Sequence, residues 1–154
     1  MFREMRKKQR EITEEESIEI LNNGEYGILA TIGENGYTYA TPLSYVYYND
    51  AIYFHCAVEG SKLDNIKYNE KVSFCVVGKT KVLPDKFSTE YESAIVFGRA
   101  TIIEKEEKIE ILTALIEKYS PDFKKEGLEY IERAAGATSV VKIGIDRITG
   151  KARR

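Results

Sequence analysis

Tyr26-Gly27-Ile28-Leu29-Ala30-Thr31-Ile32, then Gly33-Glu34-Asn35-Gly36, then residues 37–48 with Thr41-Pro42-Leu43-Ser44-Tyr45 inside them, then Asn49-Asp50, then Ala51-Ile52-Tyr53-Phe54-His55-Cys56-Ala57-Val58: with this stretch the chain declares its fold. Three runs rich in β-branched and aromatic side chains alternate with short Gly, Asn and Asp connections. Such links are too short for a βαβ crossover, so the pattern predicts an antiparallel meander. Pro42 removes a ladder donor from the middle run. The backbone there is an edge, a bulge or a segment facing a ligand.

The flanks extend the pattern. Thr13 followed by Glu16 reads as a capping box, opening a helix with Ile18, Ile20 and Leu21 on its apolar side and Asn22-Asn23-Gly24 at its end. Ser61-Lys62-Leu63-Asp64 has the Ser-x-x-Asp spacing of a capped helix start, with the helix reaching about residue 68. Residues 71–83 and 91–104 read as strands, the second with a bulge or close approach at Gly98. Residues 105–119 and 124–134 read as helices, and 138–148 as a last strand stopped by Thr149-Gly150-Lys151. The expected fold is mainly β with flanking α, a single domain over residues 1–154. Six antiparallel strands form a closed or partly open barrel with helices outside. Closure is favoured over an open α+β sheet because a strand as long as 91–104 leaves a reactive edge. Residues 1–10 read as a basic arm, mobile or packed in a dimer.

Composition excludes much. Lys plus Arg is 23 against 25 for Asp plus Glu, a net charge of −2, so the basic excess of a nucleic-acid binder is missing. With one histidine and two cysteines, neither a multi-histidine metal site nor a disulfide framework is available. No apolar run reaches the roughly 18 residues of a membrane span. The basic start is followed by Glu14-Glu15-Glu16 rather than an apolar signal core. A cytoplasmic protein with Cys56 and Cys75 as buried free thiols is expected. Gly-x-Ser-x-Gly and Walker spacings are absent. Imidazole chemistry has only His55 to use. The 11 tyrosines suit barrel rims, aromatic ligand sites and interfaces, and equally a Tyr-rich surface.

Three places carry candidate chemistry. His55 shares a strand face with Tyr53 and Ala57, and reads either as a rim histidine or as a functional group. The helix start at Ser61 and Lys62 suits an anion, because free N–H groups and a positive helix end meet a lysine; the other reading is a capped surface helix. Pro42-Leu43-Ser44-Tyr45 offers either backbone groups to a planar, hydrogen-bonding ring or a plain edge proline. The basic ends, 3–10 and 151–154, are phosphate contacts or frayed termini.

Taken in order, Ala30-Thr31, Thr41-Pro42-Leu43-Ser44, Ile52-Tyr53-Phe54-His55-Cys56-Ala57, Gly60-Ser61-Lys62-Leu63-Asp64-Asn65-Ile66 and Val72-Ser73-Phe74 form an ordered set, joined by residues 91–100 and 148–153. The set resembles the pyridoxamine 5′-phosphate oxidase-like FMN-binding split barrels, and within them is most similar to the nitroimidazole-resistance (Nim) type flavoproteins. The resemblance implies a Greek-key split barrel, a homodimer with FMN at the subunit interface, and electron transfer from a reductant to a small acceptor such as a nitroaromatic or quinone. It implies that Pro42, Leu43, Ser44 and Tyr45 line the ring. His55, Cys56 and Ala57 would flank it, with His55 as the catalytic residue. Ser61 and Lys62 would hold the phosphate with Asn65 nearby, and Tyr91, Ser93, Gly150 and Lys151 would reach in from the neighbouring subunit. One departure stands out: the terminal segment has no tryptophan, so pyridoxamine phosphate itself is not the expected substrate. The alternatives are a non-catalytic flavin or haem binding or sensing protein, with His55 as axial ligand, and a deazaflavin in place of FMN.

Overall fold

A computed structural model describes residues 1–154. In chain order the elements are β1 (Glu11–Ile12), α1 (Glu14–Asn23), β2 (Gly27–Ile32), β3 (Thr38–Leu43), β4 (Val46–Tyr48), β5 (Ala51–Ala57) and α2 (Ser61–Tyr68). They continue with β6 (Lys71–Leu83), β7 (Ser88–Ile103), α3 (Lys105–Tyr119), α4 (Lys124–Ala134) and β8 (Thr138–Arg153). Local chemistry explains the early boundaries. The Thr13 hydroxyl accepts from Glu16 N–H at 3.1 Å while Glu16 accepts from Thr13 N–H at 2.9 Å, the expected capping box. Asn49 and Asp50 both take positive φ, 47° and 60°, the geometry that lets two residues join β4 to β5 without splaying them.

All pairings are antiparallel, in the order β3-β2-β6-β7-β8-β5-β4, with β1 added to β8. β3 and β4 are therefore opposite edges of the sheet. Yet only Ser44 and Tyr45 connect them, a link that spans no more than ~11 Å at 3.8 Å per Cα step. The sheet must roll until its two edges adjoin, and no ladder closes the gap. That is a split barrel.

The strand count is eight rather than the expected six. The run 37–48 breaks at Ser44-Tyr45 into two strands, and β1 is a two-residue addition. Nor does Gly150 stop the last strand: β8 continues through Gly150 and Lys151, laddered to Ala94 and Ser93. Gly150 is needed for close approach, since a Cβ there would run into the Ser17 hydroxyl and Ile12. The bulge at Gly98 is present as expected, where the β7–β8 register shifts after Phe97.

Two apolar layers result. Inside the barrel, Leu29, Phe54, Phe74, Val96 and Val141 are sealed from solvent, with Ile20 and Leu21 of α1 and Leu63 and Ile66 of α2 packed among them. Outside it, Tyr53, Val140 and Ile103 lie under Ile111, Leu112 and Leu115 of α3 and Ile131 of α4. Full burial of Phe54 or Phe74 contributes about 1.5–3 kcal/mol each. The N-terminal arm rests on its own barrel: Phe2 lies 4.9 Å from the Phe97 ring, and an Arg147 N–H donates to the Arg3 carbonyl at 3.4 Å. No helix is long and apolar enough to cross a membrane.

Candidate functional site

β5 leaves the barrel at Ala57, and Gly60 turns the chain into α2 with φ 143°, a conformation open to glycine alone among common residues. The Ser-x-x-Asp spacing implied a cap by Ser61. Instead Gly60 is the cap, Ser61 is the first helical residue, and no side chain bonds the helix start. The amides of the first turn are thus left open, in contrast to the boxed start of α1. Leu63 and Ile66 anchor α2 in the core, and the Asn65 amide donates to the buried Thr31 hydroxyl at 3.0 Å. Asn65 therefore ties the helix to β2, which fixes where Ser61 and Lys62 stand.

Lys62 is half-buried in that first turn, and its charge reaches both His55 and Cys56. The structure thus brings the strand end and the helix start together, as the sequence implied. His55 shares its face with Tyr53 but lies beyond the cover of α3, so it is exposed. Desolvation first, then the Lys62 ammonium, hold its pKa below the ordinary histidine value. The imidazole is neutral near neutral pH. Cys56 packs on the opposite, interior side, where burial pushes its thiol pKa up and Lys62 pulls it back only in part. Both cysteines are free but half-buried rather than fully buried, and burial raises Cys75 as well. Protonated thiols at these sites are poor nucleophiles. No cluster of His, Cys, Asp and Glu could hold a metal ion.

At the split, Pro42 pairs with Ile28 on the edge strand, Leu43 is half-buried against the interior cluster, and Ser44 is exposed. Tyr45 parts from this group. Its ring is fully buried edge-on to Phe74, and its hydroxyl donates to the Leu21 carbonyl. Its N–H donates to the Tyr119 hydroxyl at 3.0 Å, and its carbonyl accepts from Lys118 Nζ at 2.8 Å. Every polar group of Tyr45 is engaged within the chain, whereas Pro42 and Ser44 are exposed and Ser44 lies outside both ladders. Burial, with a smaller contribution from Tyr119, drives the Tyr45 phenol pKa well up, and burial lowers Lys118 to about 8. Sequence reasoning singled out neither Lys118 nor Tyr119, which close the helix read over 105–119.

Tyr91, Ser93 and Lys151 form a third group. Ser93 pairs with Lys151, whose Nζ lies 6.0 Å from the Tyr91 ring centroid. Burial alone would raise the Tyr91 pKa, but Arg10 and Lys151 bring it below its usual value. The charges of Arg10 and Arg6, some burial, and then Lys151 lower Lys7, so this end of the barrel is densely positive. Gly150 is walled off by Ser17 and Ile12 and faces no open space. Within one chain this group does not meet the first. His55 pairs with Val140, which pairs with Ile103, while Tyr91 lies roughly a dozen residues along β7, ~40 Å of strand contour.

A rolled antiparallel sheet, split between β3 and β4 and flanked by an open helix start, defines the class: a split-barrel protein. The chain belongs to the pyridoxamine 5′-phosphate oxidase family, whose model matches residues 13–152. It is similar in structure to a protein from Bacteroides thetaiotaomicron assigned to 5-nitroimidazole antibiotic resistance, with TM-score 0.80, 25% identity, and coverage of 92% of this chain and 86% of that one. A conserved hypothetical protein from Mycobacterium tuberculosis gives TM-score 0.84 at 20% identity, covering 98% and 91%. An FAD and haem binding protein from Mycobacterium smegmatis gives 0.81 at 20%, covering 92% and 72%. No curated protein matches the sequence.

Proposed function

We propose that the protein is an FMN-binding, homodimeric oxidoreductase that passes electrons from a reductant to a small acceptor such as a nitroaromatic or quinone. One observation carries the reading: the uncapped first turn of α2, four residues after β5 ends, holds Lys62, whose charge acts on His55 and Cys56. A phosphate monoester is an anion rich in acceptor oxygens. It fits a helix start with unpartnered N–H groups and a positive field. Ser61 would add a hydroxyl donor and Lys62 a full charge, while Pro42, Leu43, Ser44 and Ala57 would border the ring. Bound FMN would supply the redox chemistry, taking electrons from a reductant and releasing them to the acceptor.

The neutral imidazole of His55 has one N–H to donate and one nitrogen to accept, which suits it to orient the acceptor. Because Lys62 opposes its protonation, it does not compete for the phosphate. The opposite ends of the β7–β8 ladder argue for the dimer, since a second copy would bring Tyr91, Ser93 and Lys151 to the α2 end of the first. Exposed Val77 and Ile95 on the barrel's outer face supply apolar surface for that contact. Free Cys56 and Cys75 suit a reducing cytoplasm. Of the similar proteins described above, the one assigned to nitroimidazole resistance supports the reading, and the one that binds FAD and haem supports a flavin site as well as the second reading that follows. A second reading, a non-catalytic haem or flavin binder, is favoured by the exposed, neutral imidazole, which is ready to ligate iron.

The test is spectroscopic. Purified protein is examined for flavin or haem absorbance, reduced anaerobically with NAD(P)H, and then offered a nitroimidazole or a quinone. Flavin bands that bleach and return on adding acceptor support the oxidoreductase. A haem Soret band supports the second reading, and bound flavin that no acceptor reoxidises indicates binding without turnover. A colourless protein without affinity for FMN ends the proposal.

A further inference from the structure

No backbone ladder joins β3 to β4; beside the split the Tyr45 ring is anchored in the core and on the Leu21 carbonyl, and its backbone is held by side chains from the last turn of α3. The Tyr119 hydroxyl accepts from Tyr45 N–H at 3.0 Å and donates to the Glu25 carbonyl at 2.5 Å. Lys118 Nζ donates to the Tyr45 carbonyl at 2.8 Å and sits 3.8 Å from the centroid of the Tyr45 ring. Between them these two residues hold the N–H and the C=O of Tyr45, one group from each of the two peptide units that flank its Cα. They also border an open hollow of about 670 Å³, whose wall includes Asn22, Asn23, Glu25 and Ser44.

We propose that Lys118 and Tyr119 are positioning residues for the cofactor: by fixing Tyr45 they set where Leu43 and Ser44 stand, and so how firmly that edge holds a flavin ring. The proposal rests on the flavin reading above. Its logic is mechanical. Ser44 lies between the end of one ladder and the start of the next, and pairs with neither. Its only fixed neighbour across the gap is Tyr45, so slack at Tyr45 passes to Ser44 with nothing to absorb it.

The clasp also responds to pH. An ammonium donates more strongly than an amine and is attracted to an aromatic face, and both effects weaken when the proton leaves. Lys118 is brought down to about 8 by burial. The groups facing it are Tyr45 from the β3–β4 link, Tyr119 on its own helix, and Glu25 and Tyr26 from the α1–β2 link. Glu117 is paired to Lys124 at 2.8 Å, and no carboxylate comes within ion-pair distance of Lys118. The grip on the edge therefore slackens as pH rises through about 8.

FMN is titrated into the full-length wild type, Lys118→Met, Lys118→Arg and Tyr119→Phe on both sides of that pH, with thermal midpoints recorded alongside. Lys118→Met and Tyr119→Phe weaken FMN about tenfold below the transition, the size of one modest hydrogen bond. The wild-type affinity falls on crossing it, whereas the Met variant is flat and the Arg variant keeps its affinity throughout. The Met variant does so without losing thermal stability, which separates positioning from folding. Wild-type affinity and pH profile in the Met and Phe variants overturn the clasp while leaving the flavin reading intact. A wild type that binds no FMN overturns both.

Discussion

Replacing Lys62 by alanine probes the proposed anion site most sharply, because two independent readouts share one cause. Lys62 stands in the first turn of α2, where no side chain caps the amides, and its ammonium reaches His55. A hydrogen bond to a charged group contributes about 1.5–3 kcal/mol. At 1.4 kcal/mol per tenfold, its loss weakens FMN by roughly 10- to 150-fold. The second readout needs no cofactor. Two effects depress the His55 pKa, desolvation first and the Lys62 charge second. Removing the charge leaves desolvation in place, so the imidazole titrates higher than in the wild type but still below an unperturbed histidine. With a single histidine in the chain, its ring resonances follow that titration by NMR without assignment. Fluorescence titration supplies the FMN affinity. If affinity holds while the histidine shifts, Lys62 is correctly placed but does not bind phosphate. If the histidine does not move either, Lys62 is not where the structure puts it.

Other consequences follow from the same geometry. Substituting His55 by alanine leaves FMN bound and slows acceptor reduction in stopped-flow traces; full speed would reduce His55 to a surface residue. Between pH 8 and 10.5 the unfolded chain holds a proton on Lys118 that the folded chain has shed, so unfolding free energy rises with pH across that window and Lys118 adds no slope below it. Urea denaturation in that window shows a smaller rise for Lys118→Met than for the wild type, and equal slopes would remove the assignment. A methyl group at Gly150 has to displace Ser17 or Ile12, so Gly150→Ala costs about 1–3 kcal/mol in urea denaturation. An unchanged midpoint would mean that α1 packs elsewhere.

Much of the barrel was legible where one short segment carries its own instructions. The capping box at Thr13 and Glu16 and the Asn49-Asp50 turn need no distant partner. The strand end at His55 and the helix start at Lys62 also lie close enough in sequence for their juxtaposition to be read. The split was only half legible. Pro42 marked an edge, a bulge or a segment facing a ligand, but residues 37–48 keep a strand-like texture on both sides of Tyr45. The break there depends on a hydroxyl 74 residues away and on the Leu21 carbonyl of α1. Gly150 misled for a related reason. A glycine beside a lysine at the end of an apolar run looks like a stop, and only the approach of α1 shows why glycine is required inside a strand. Lys118 gave no signal, because a basic residue in the last turn of a helix already has a reason to be there.

The proposed phosphate anchor separates most cleanly by comparing FMN with riboflavin, which carries the same ring and lacks the phosphate. If the open start of α2 holds that phosphate, FMN binds the wild type stoichiometrically and at least about tenfold more tightly than riboflavin, and Lys62→Ala erases most of the difference. Equal affinity for the two flavins, or none for either, would show that this helix start is not the anchor.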